Sequence, residues 1–384
     1  MEICMLDPLF YPYFGGTEKV VYEFGKRLAK KHGITILTSQ IPGTKPYEEI
    51  EGMKVYRTPS IYIKNLPSFM PPPYTISPFL VKDLLKRKEA DIFHIHCRYF
   101  YYLGTILAIK QIMRKKLMLT LHNAKPAGIS FLTDKCAALY DAVWGYRIME
   151  NCNRITAVSR YTKEVTVPHY MQNKTEVVYN GVDEKRFKPR KDDSIREKFN
   201  IGDSPLLLTN ARLIPQKGLH YLIEAFYMLK KDFRDAKLII IGKGPLRDTL
   251  GSQCFRLGVQ DSVFFVTGIP EEELPLYYNN ATLFVLPSLW EPSAVVLYEA
   301  LASGKAIVAT RVGGNPEIVS EECGMLVPPH NAHELHDKIK LLLENDKMRR
   351  RMERNSRKRA VENFTWDIAA KRYEKIYERV LSHL

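Results

Sequence analysis

A helix N-terminus suited to binding an anion is predicted in PSLWEPSAVVLYEALASGK, residues 287–305. Pro292 fits the first turn of a helix, where its missing N–H costs nothing, and Gly304 fits the end of that helix. The amides near Ser293, Ala294 and Val295 would then lie unbonded at the positive end of the helix. Such amides form a ready site for a phosphate group.

Two glutamates accompany this predicted phosphate site. Glu291 precedes the helix and Glu299 lies inside it, eight positions further on. A carboxylate so close to a phosphate is repelled unless it accepts hydrogen bonds from hydroxyl groups, which a sugar offers. The pair therefore indicates a phosphorylated sugar as the ligand. The alternative is two ordinary surface glutamates, and the spacing alone leaves it open.

Two cations follow an apolar strand in PLLLTNARLIPQKGLHYL. Arg212 comes directly after the strand, and Lys217 comes just before the next helix. The carboxyl ends of strands are where doubly wound sheets bind ligands. Arginine can fork two phosphate oxygens, and lysine supplies a point charge. We expect these two residues to neutralise phosphate, although solvated loop charges are the alternative.

Three glycine loops could bring backbone close to a ligand. Gly16 lies in FGGTE, Gly244 in IGKGP and Gly268 in VTGIP. The loop IGKGP resembles half of a dinucleotide fingerprint, but it lacks the third glycine at the expected spacing. It is therefore weak evidence for NAD, and a plain turn is the alternative for each loop.

Three histidines follow or occupy strands of the first half. His122 ends the strand KLMLTLHN, at an edge where ligands bind. His94 and His96 alternate along the strand ADIFHIHC and share a face, so they could pair with each other or bind a metal. No Asp, Glu or Cys has convincing ligand spacing to them, and we interpret His94 as a core residue.

The elements that must position these residues alternate between strands and helices in two successive halves. MEICML, the loop FGG, a helix with Val20 and Phe24 at helical spacing, and ITILTS form a βαβ unit. After a charged linker at residues 184–204 the pattern begins again. This alternation predicts an α/β protein with two doubly wound parallel sheets.

Composition narrows the class of protein. The net charge is +14, from 57 basic and 43 acidic residues, which favours anionic partners. The six cysteines form no CxxC pair, which is typical of reduced, intracellular proteins. The N-terminus does not resemble a signal peptide, and no apolar run is long enough to span a bilayer. We therefore expect a cytoplasmic protein that meets a membrane only at its surface.

The polar motifs occur in a fixed order over nearly the whole chain. They are Gly15-Gly16, Val158-Ser159, Asn180-Gly181-Val182-Asp183, Arg212 with Lys217-Gly218, Gly242 with Gly244-Pro245, Gly268, Pro287-Ser288, and Phe364-Thr365-Trp366. In this order they resemble the retaining glycosyltransferases of family GT4, glycosyltransferase group 1, which carry an E-x7-E signature. That signature runs here from Glu291 to Glu299.

The resemblance implies the GT-B fold, in which two Rossmann-like β/α/β domains face each other across a deep cleft. Residues 1–188 with a C-terminal helix, 366–384, would form the acceptor-side domain. Residues 189–365 would form the domain that binds the nucleotide-sugar donor.

The resemblance also implies roles for individual residues. Arg212 and Lys217 would neutralise the donor diphosphate, Glu299 would hold the ribose, and Glu291 would hold the transferred sugar. The amides near Ser293, Ala294 and Val295 would bind the distal phosphate. Gly16, Gly244 and Gly268 would approach the donor, and His122 would lie beside the sugar. Family members often have Phe-Gly where this chain has Ser293-Ala294, so the extra Cβ of Ala294 puts the choice of donor in question.

The expected reaction moves a hexose-type sugar from a UDP- or GDP-sugar to a glycan or lipid-linked acceptor. No metal and no cofactor are expected, because the chain has no Asp-x-Asp motif. The aromatic stretch near Trp144, the proline-rich segment near Phe69 and the basic surplus favour a lipid-linked acceptor at an anionic membrane. The alternative for these features is a first-domain core and a solvated basic face. The alternatives are a sugar-nucleotide epimerase or phosphorylase, a basic nucleic-acid-binding protein, and an NAD-dependent oxidoreductase.

Overall fold

The structure, a computed structural model, describes residues 1–13, 15–63, 74–96, 103–125 and 131–382. The predicted proline-rich segment near Phe69 lies outside these residues. Contacts divide the chain into two units, one formed by Met1–Asn180 with Trp366–Leu384 and the other by Gly181–Thr365.

The first unit is built on a large sheet with strand order β10-β9-β8-β7-β1-β2-β4-β3, counted over its described residues. All neighbours are parallel except β3 and β4. Strands β5 and β6 form a separate two-stranded antiparallel sheet, which contacts the large sheet where Oγ of Ser39 lies 2.9 Å from Oγ1 of Thr75. The strands are β1 Glu2–Leu6, β2 Gly33–Ser39, β3 Tyr47–Ile50, β4 Met53–Thr58, β5 Ile61–Ile63, β6 Tyr74–Ile76, β7 Ile92–His96, β8 Lys116–Leu121, β9 Arg154–Ala157 and β10 Thr175–Val177.

Helices cover this sheet. Two of these helices are followed directly by π-helical turns, at Ala108–Ile112 and Asp141–Gly145. The α-helices are α1 Gly16–Leu28, α2 Leu80–Leu84, α3 Leu103–Leu107, α4 Phe131–Tyr140, α5 Tyr146–Asn151, α6 Arg160–Thr166 and, from the far end of the sequence, α15 Trp366–Ser382. α1 buries Val20, Val21, Phe24 and Leu28, the stripe that its sequence predicts.

The second unit has a parallel sheet with strand order β13-β12-β11-β14-β15-β16. Its strands are apolar and buried because helices cover both faces, as parallel sheets require. The strands are β11 Leu206–Asn210, β12 Lys237–Ile241, β13 Val263–Val266, β14 Leu283–Leu286, β15 Ile307–Thr310 and β16 Gly324–Val327. The helices are α7 Ser194–Lys198, α8 Leu219–Leu229, α9 Arg247–Arg256, α10 Leu274–Asn280, α11 Val295–Ala302, α12 Asn315–Ile318, α13 Ala332–Glu344 and α14 Asp346–Asn363.

Residues 181–188 belong to the second unit, although the sequence predicts a boundary after residue 188. The amide of Val182 donates to the carbonyl of Phe364 at 2.8 Å, which ties this segment to the end of the unit. The ring of Phe187 packs edge-on against Tyr278, with centroids 5.6 Å apart. These contacts draw the polar segment into the second unit before its first strand begins.

Candidate functional site

The candidate donor site lies at the centre of the second sheet. β11 and β14 are neighbours there, and the chain leaves them in opposite directions along the sheet, toward β12 and toward β15. A ligand crevice forms at such a switch point, outside the carboxyl ends of the strands. The loop after β11 carries Arg212 and Lys217, and the loop after β14 carries Glu291.

A shielded ion pair joins the two loops. Nζ of Lys217 contacts Oε1 of Glu291, and the two side chains are only 14% and 5% exposed. The same Oε1 accepts a hydrogen bond from Oγ of Ser288 at 2.7 Å. Both contacts use Oε1, so the second carboxylate oxygen keeps its capacity to accept hydrogen bonds from a ligand.

The backbone of the two loops is also joined, and this requires a glycine. The amide of Leu289 donates to the carbonyl of Gln216 at 2.8 Å. Gly218 has a left-handed φ of 59°, and a Cβ there would lie 2.2 Å from the carbonyl oxygen of Pro287. Gly218 therefore positions Lys217 against Glu291 by allowing the loops to touch.

The helix after Glu291 begins later than the sequence predicts. α11 starts at Val295 with Ala294 as its N-cap, whereas Pro292 was expected in the first turn, so that prediction is wrong. The carbonyl of Glu291, which an earlier helix would use for its first bond, accepts from the amide of Gly314 at 3.0 Å. The first-turn amides are thus those of Val295 and Val296, because Ser293 lies before the helix.

Glu299 lies inside α11 and is buried beside an aromatic hydroxyl. Its Oε2 accepts a hydrogen bond from the hydroxyl of Tyr278 at 2.8 Å. Burial, and then the charge of Glu299, raise the pKa of Tyr278 well above its ordinary value. Tyr278 therefore remains a donor, and the amide of Asn210 approaches the same hydroxyl at 3.5 Å.

Arg212 is exposed, and its side chain forms no hydrogen bond or ion pair within the described ranges. The loop that holds it is packed against the glycine loop after β12. A Cβ at Gly244 would lie 2.5 Å from the carbonyl oxygen of Leu213, so a packing requirement explains this glycine. Gly268 has a φ of 70° and open space around it, which a turn alone explains.

Ser293 and Ala294 are both buried in front of α11. The hydroxyls of Ser293 and Tyr298 lie 2.9 Å apart, so Ser293 contacts the helix that it precedes. The structure thus brings Lys217, Glu291 and the start of α11 together, while Glu299 lies further along the same helix.

In the first unit, His122 belongs to a buried histidine chain. Nε2 of His122 lies 3.0 Å from Nδ1 of His96. His94 contacts the hydroxyl of Tyr377 at 2.6 Å and that of Thr120 at 2.7 Å, which agrees with its interpretation as a core residue. Burial lowers the pKa of His94 and of His122 to about 3, so both are neutral near pH 7.

Gly16 is the first residue of α1, and a Cβ there would meet nothing within 4 Å. No packing contact within the described part of the chain therefore explains this glycine. Asp7, directly after β1, is 1% exposed, and neither carboxylate oxygen has a hydrogen-bond partner among the described residues. Burial, and then the charge of Glu18, raise its pKa well above the ordinary range.

Sequence reasoning missed three of these residues, Asp7, Asn210 and Tyr278, and it named Ser288 only as part of the motif Pro287-Ser288, without a role in the site. Tyr278 follows the apolar spacing of a helix, so nothing in the pattern separates it from core. Asn210 stands two positions before Arg212, and its place at a strand end was the signal that could have found it.

Two further searches cover the described residues only. They contain no group of three or more His, Cys, Asp or Glu placed to hold a metal ion. They also contain no helix long and apolar enough to cross a bilayer. The expectation that catalysis needs no metal stays a prediction.

Comparison with solved structures defines the class of protein. The Anabaena protein HepE in complex with UDP-glucose matches with a TM-score of 0.79 at 20% identity, covering 99% of this chain and 100% of that one. Sucrose-phosphate synthase from Thermosynechococcus elongatus matches with a TM-score of 0.77 at 21% identity, covering 100% of both chains. The protein therefore has the GT-B fold, with two Rossmann-like units.

Family models and relatives identify the family. Residues 14–186 match the model for glycosyltransferase family 4, and residues 191–359 match glycosyl transferases group 1. Over 368 residues the chain is 27% identical to the GDP-mannose-dependent alpha-(1-6)-phosphatidylinositol monomannoside mannosyltransferase of Mycolicibacterium smegmatis, with 93% of each covered. It is 28% identical over 384 residues to N-acetyl-alpha-D-glucosaminyl L-malate synthase of Bacillus anthracis, with 97% of this chain and 96% of the relative covered.

The chain belongs to glycosyltransferase family 4, also described as glycosyl transferases group 1, and is a glycosyltransferase. Two alternatives from the sequence, a nucleic-acid-binding protein and an NAD-dependent oxidoreductase, are therefore set aside.

Proposed function

We propose that this glycosyltransferase moves a hexose-type sugar, with retention of its anomeric configuration, from a UDP- or GDP-sugar to a glycan or lipid-linked acceptor. The observation that carries the proposal is the shielded pair of Lys217 and Glu291 at the switch point, directly before the N-terminus of α11. In these two loops a cation and a carboxylate lie directly before the first-turn amides of a helix. This arrangement suits a ligand in which a sugar is joined to a diphosphate.

The positive groups would stabilise the leaving diphosphate. Cleavage of the bond between the sugar and the diphosphate adds negative charge to the leaving phosphate. Arg212, Lys217 and the amides of Val295 and Val296 are the donors for that charge. Hydrogen bonds to charged groups contribute about 1.5–3 kcal/mol each, and they speed the reaction where they are stronger in the transition state. We therefore propose that transfer needs no metal ion.

The carboxylates would bind hydroxyl groups. Glu291 would accept from hydroxyls of the transferred sugar through its second oxygen. Glu299, held by Tyr278, would accept from the ribose of the donor. Ala294 is buried directly before α11, and its methyl group would limit which donor sugars fit the site.

Same-face attack is the mechanism that fits these residues best. His122, with a pKa of about 3, is neutral near pH 7 and suits hydrogen bonding to the sugar rather than proton removal. The leaving phosphate would then take the proton from the acceptor hydroxyl. Retention follows, because the new bond forms on the face that the diphosphate leaves.

A lipid-linked acceptor is supported by exposed apolar side chains in the first unit. Leu139, Val143 and Trp144 are 67%, 37% and 41% exposed, on the end of α4 and the π-helical turn that follows it. Exposed apolar groups on a helical surface suit the boundary of a bilayer. The relative from M. smegmatis is described as acting on a phosphatidylinositol mannoside. We propose that the protein is cytoplasmic and peripheral on the inner face of the membrane.

The test measures thermal stability with UDP-, GDP- and ADP-sugars, without metal and with a chelator present. A true donor binds the folded protein and raises the melting temperature with concentration. The shift should be lost in Glu299→Ala, and turnover should fall by orders of magnitude in Arg212→Ala. Near wild-type transfer by Arg212→Ala would contradict the diphosphate assignment.

Product analysis separates the remaining alternative. A transferase releases nucleotide only in step with acceptor, and NMR of the product should show the anomer of the donor. Nucleotide release without acceptor, together with an altered sugar nucleotide, would instead support an epimerase.

A further inference from the structure

One face of α14 is lined by exposed cations. They are Lys347, Arg350, Arg351, Arg354 and Lys358, and together they are called the cationic face. With the geometry of an α-helix they fall within an arc of about 100° and extend about 16 Å along the axis. The opposite side of the helix carries Met352, Ser356 and Ala360, all buried against the second unit.

The side chains of the cationic face have no partners within the part of the chain that the structure describes. None forms an ion pair or a side-chain hydrogen bond there. The arginines that point away from this face are used inside the unit. Arg349 pairs with Asp346 at 2.6 Å, and Arg359 donates to the carbonyls of Ile318 and Glu317. The acids of this helix lie beside the face: Asp346 and Glu353 are each one turn from Arg350, and both contact Arg349, while Glu362 is one turn beyond Lys358.

A second basic segment is held against the same helix. Nη1 of Arg357 donates to the carbonyls of Glu184 at 3.0 Å and Phe187 at 2.9 Å. This contact fixes residues 184–187 beside α14. Four further exposed cations follow in and next to that segment: Lys185, Lys188, Arg190 and Lys191. The basic surface therefore extends beyond one helix.

We propose that the cationic face is a docking surface for a bilayer that contains anionic lipids. Charge complementarity selects an anionic occupant, and a bilayer can neutralise a convex row of cations through many separate headgroups. Nucleic acid is the other anionic occupant, but α14 presents no aromatic side chain for stacking on bases.

This contact is electrostatic, so it differs from the apolar contact proposed for α4. It depends on lipid charge and weakens with salt, because surface charges are screened over about 10 Å at moderate ionic strength. It also rests on different residues from those of the sugar-transfer site. Its failure would leave the proposed reaction intact, and failure of the reaction would leave the contact intact.

The experiment measures sedimentation of the full chain with vesicles of phosphatidylcholine alone or mixed with phosphatidylserine. The test variant is R350Q/R351Q/R354Q, and glutamine keeps the helix propensity of arginine. The matched control, K231Q/R234Q/R256Q, removes three exposed cations of the same unit that do not belong to α14. Circular dichroism checks that each variant is folded, and thermal shift with the panel of UDP-, GDP- and ADP-sugars checks that it responds to nucleotide sugars as the wild type does.

The wild type and the control should bind phosphatidylserine vesicles, and added salt should weaken that binding. The test variant should bind roughly 100-fold more weakly at low salt, since each basic residue near an anionic surface contributes about fivefold in affinity. Equal binding by the test variant and the wild type would overturn the proposal. Tighter binding of the wild type to duplex RNA than to the vesicles, at the same salt, would overturn it in favour of nucleic acid. Absence of vesicle binding by the wild type would also overturn the proposal, and the cations would then form a solvated face.

Discussion

Replacing Lys217 by methionine is expected to destabilise the second unit by about 3 kcal/mol, because it leaves the charge of Glu291 buried without its partner. The side chain of Glu291 is only 5% exposed, so water reaches it poorly. Loss of one member of a buried ion pair costs about 3–5 kcal/mol. The low end applies here, since Ser288 keeps its hydrogen bond to Oε1 and Lys217 itself is 14% exposed.

Urea unfolding followed by tryptophan fluorescence measures this change, and Trp290 stands directly next to Glu291. The double variant K217M/E291Q removes both charges and should recover about 2 kcal/mol relative to the sum of the two single changes. Lys231→Met, an exposed lysine of the same unit, is the matched control and should cost less than about 0.5 kcal/mol. A double-mutant cycle that is additive within about 0.5 kcal/mol would refute the ion pair.

Three further outcomes are expected. Tyr278→Phe removes the 2.8 Å hydrogen bond to Glu299, so the free energy of unfolding in urea should fall by about 1.5–3 kcal/mol and the KM for the donor should rise. An unchanged KM would show that Glu299 does not take part in donor binding. Gly16→Ala places a methyl group in open space, so the melting temperature should not change. The KM should rise, because the methyl group would obstruct a ligand that approaches this backbone; unchanged kinetics would contradict that approach. Burial lowers the pKa of His94 and His122 to about 3, so the unfolded chain binds more protons below pH 6.5 and stability falls as pH drops. From pH 7 to pH 5 the loss should be about 2 kcal/mol for each histidine, and His94→Gln should show a smaller loss; an equal loss would contradict the assignment.

The alternation of strands and helices could be predicted from sequence because it depends on local periodicity. The helix that contains Phe24 buries the side chains that its spacing indicates. The π-helical turn at Asp141–Gly145 could not be predicted, because a helical pattern of apolar residues does not reveal a single wider turn. In the structure α4, this turn and α5 therefore follow one another without a break that the sequence reveals.

The candidate site could be predicted in its residue types but not in its pairings. Glu291 and Lys217 are separated by 74 positions, and only the neighbouring strands β11 and β14 bring them together. The start of α11 also depends on a distant residue, since the amide of Gly314 takes the carbonyl that an earlier helix would use. The partner of Glu299, Tyr278, is likewise defined by packing between α10 and α11 rather than by spacing.

The position of α15 determines when the first unit can complete its folding during synthesis. This helix belongs to the first unit, where the hydroxyl of Tyr377 contacts His94 and the hydroxyl of Tyr373 lies 3.2 Å from that of Thr120. A ribosome must synthesise all of residues 181–365 before it makes α15. The first unit therefore cannot complete its fold until α15 has left the ribosome, and until then its buried His94 and Thr120 lack these two hydroxyl partners. During that interval residues 1–180, although they were synthesised first, still need protection from aggregation.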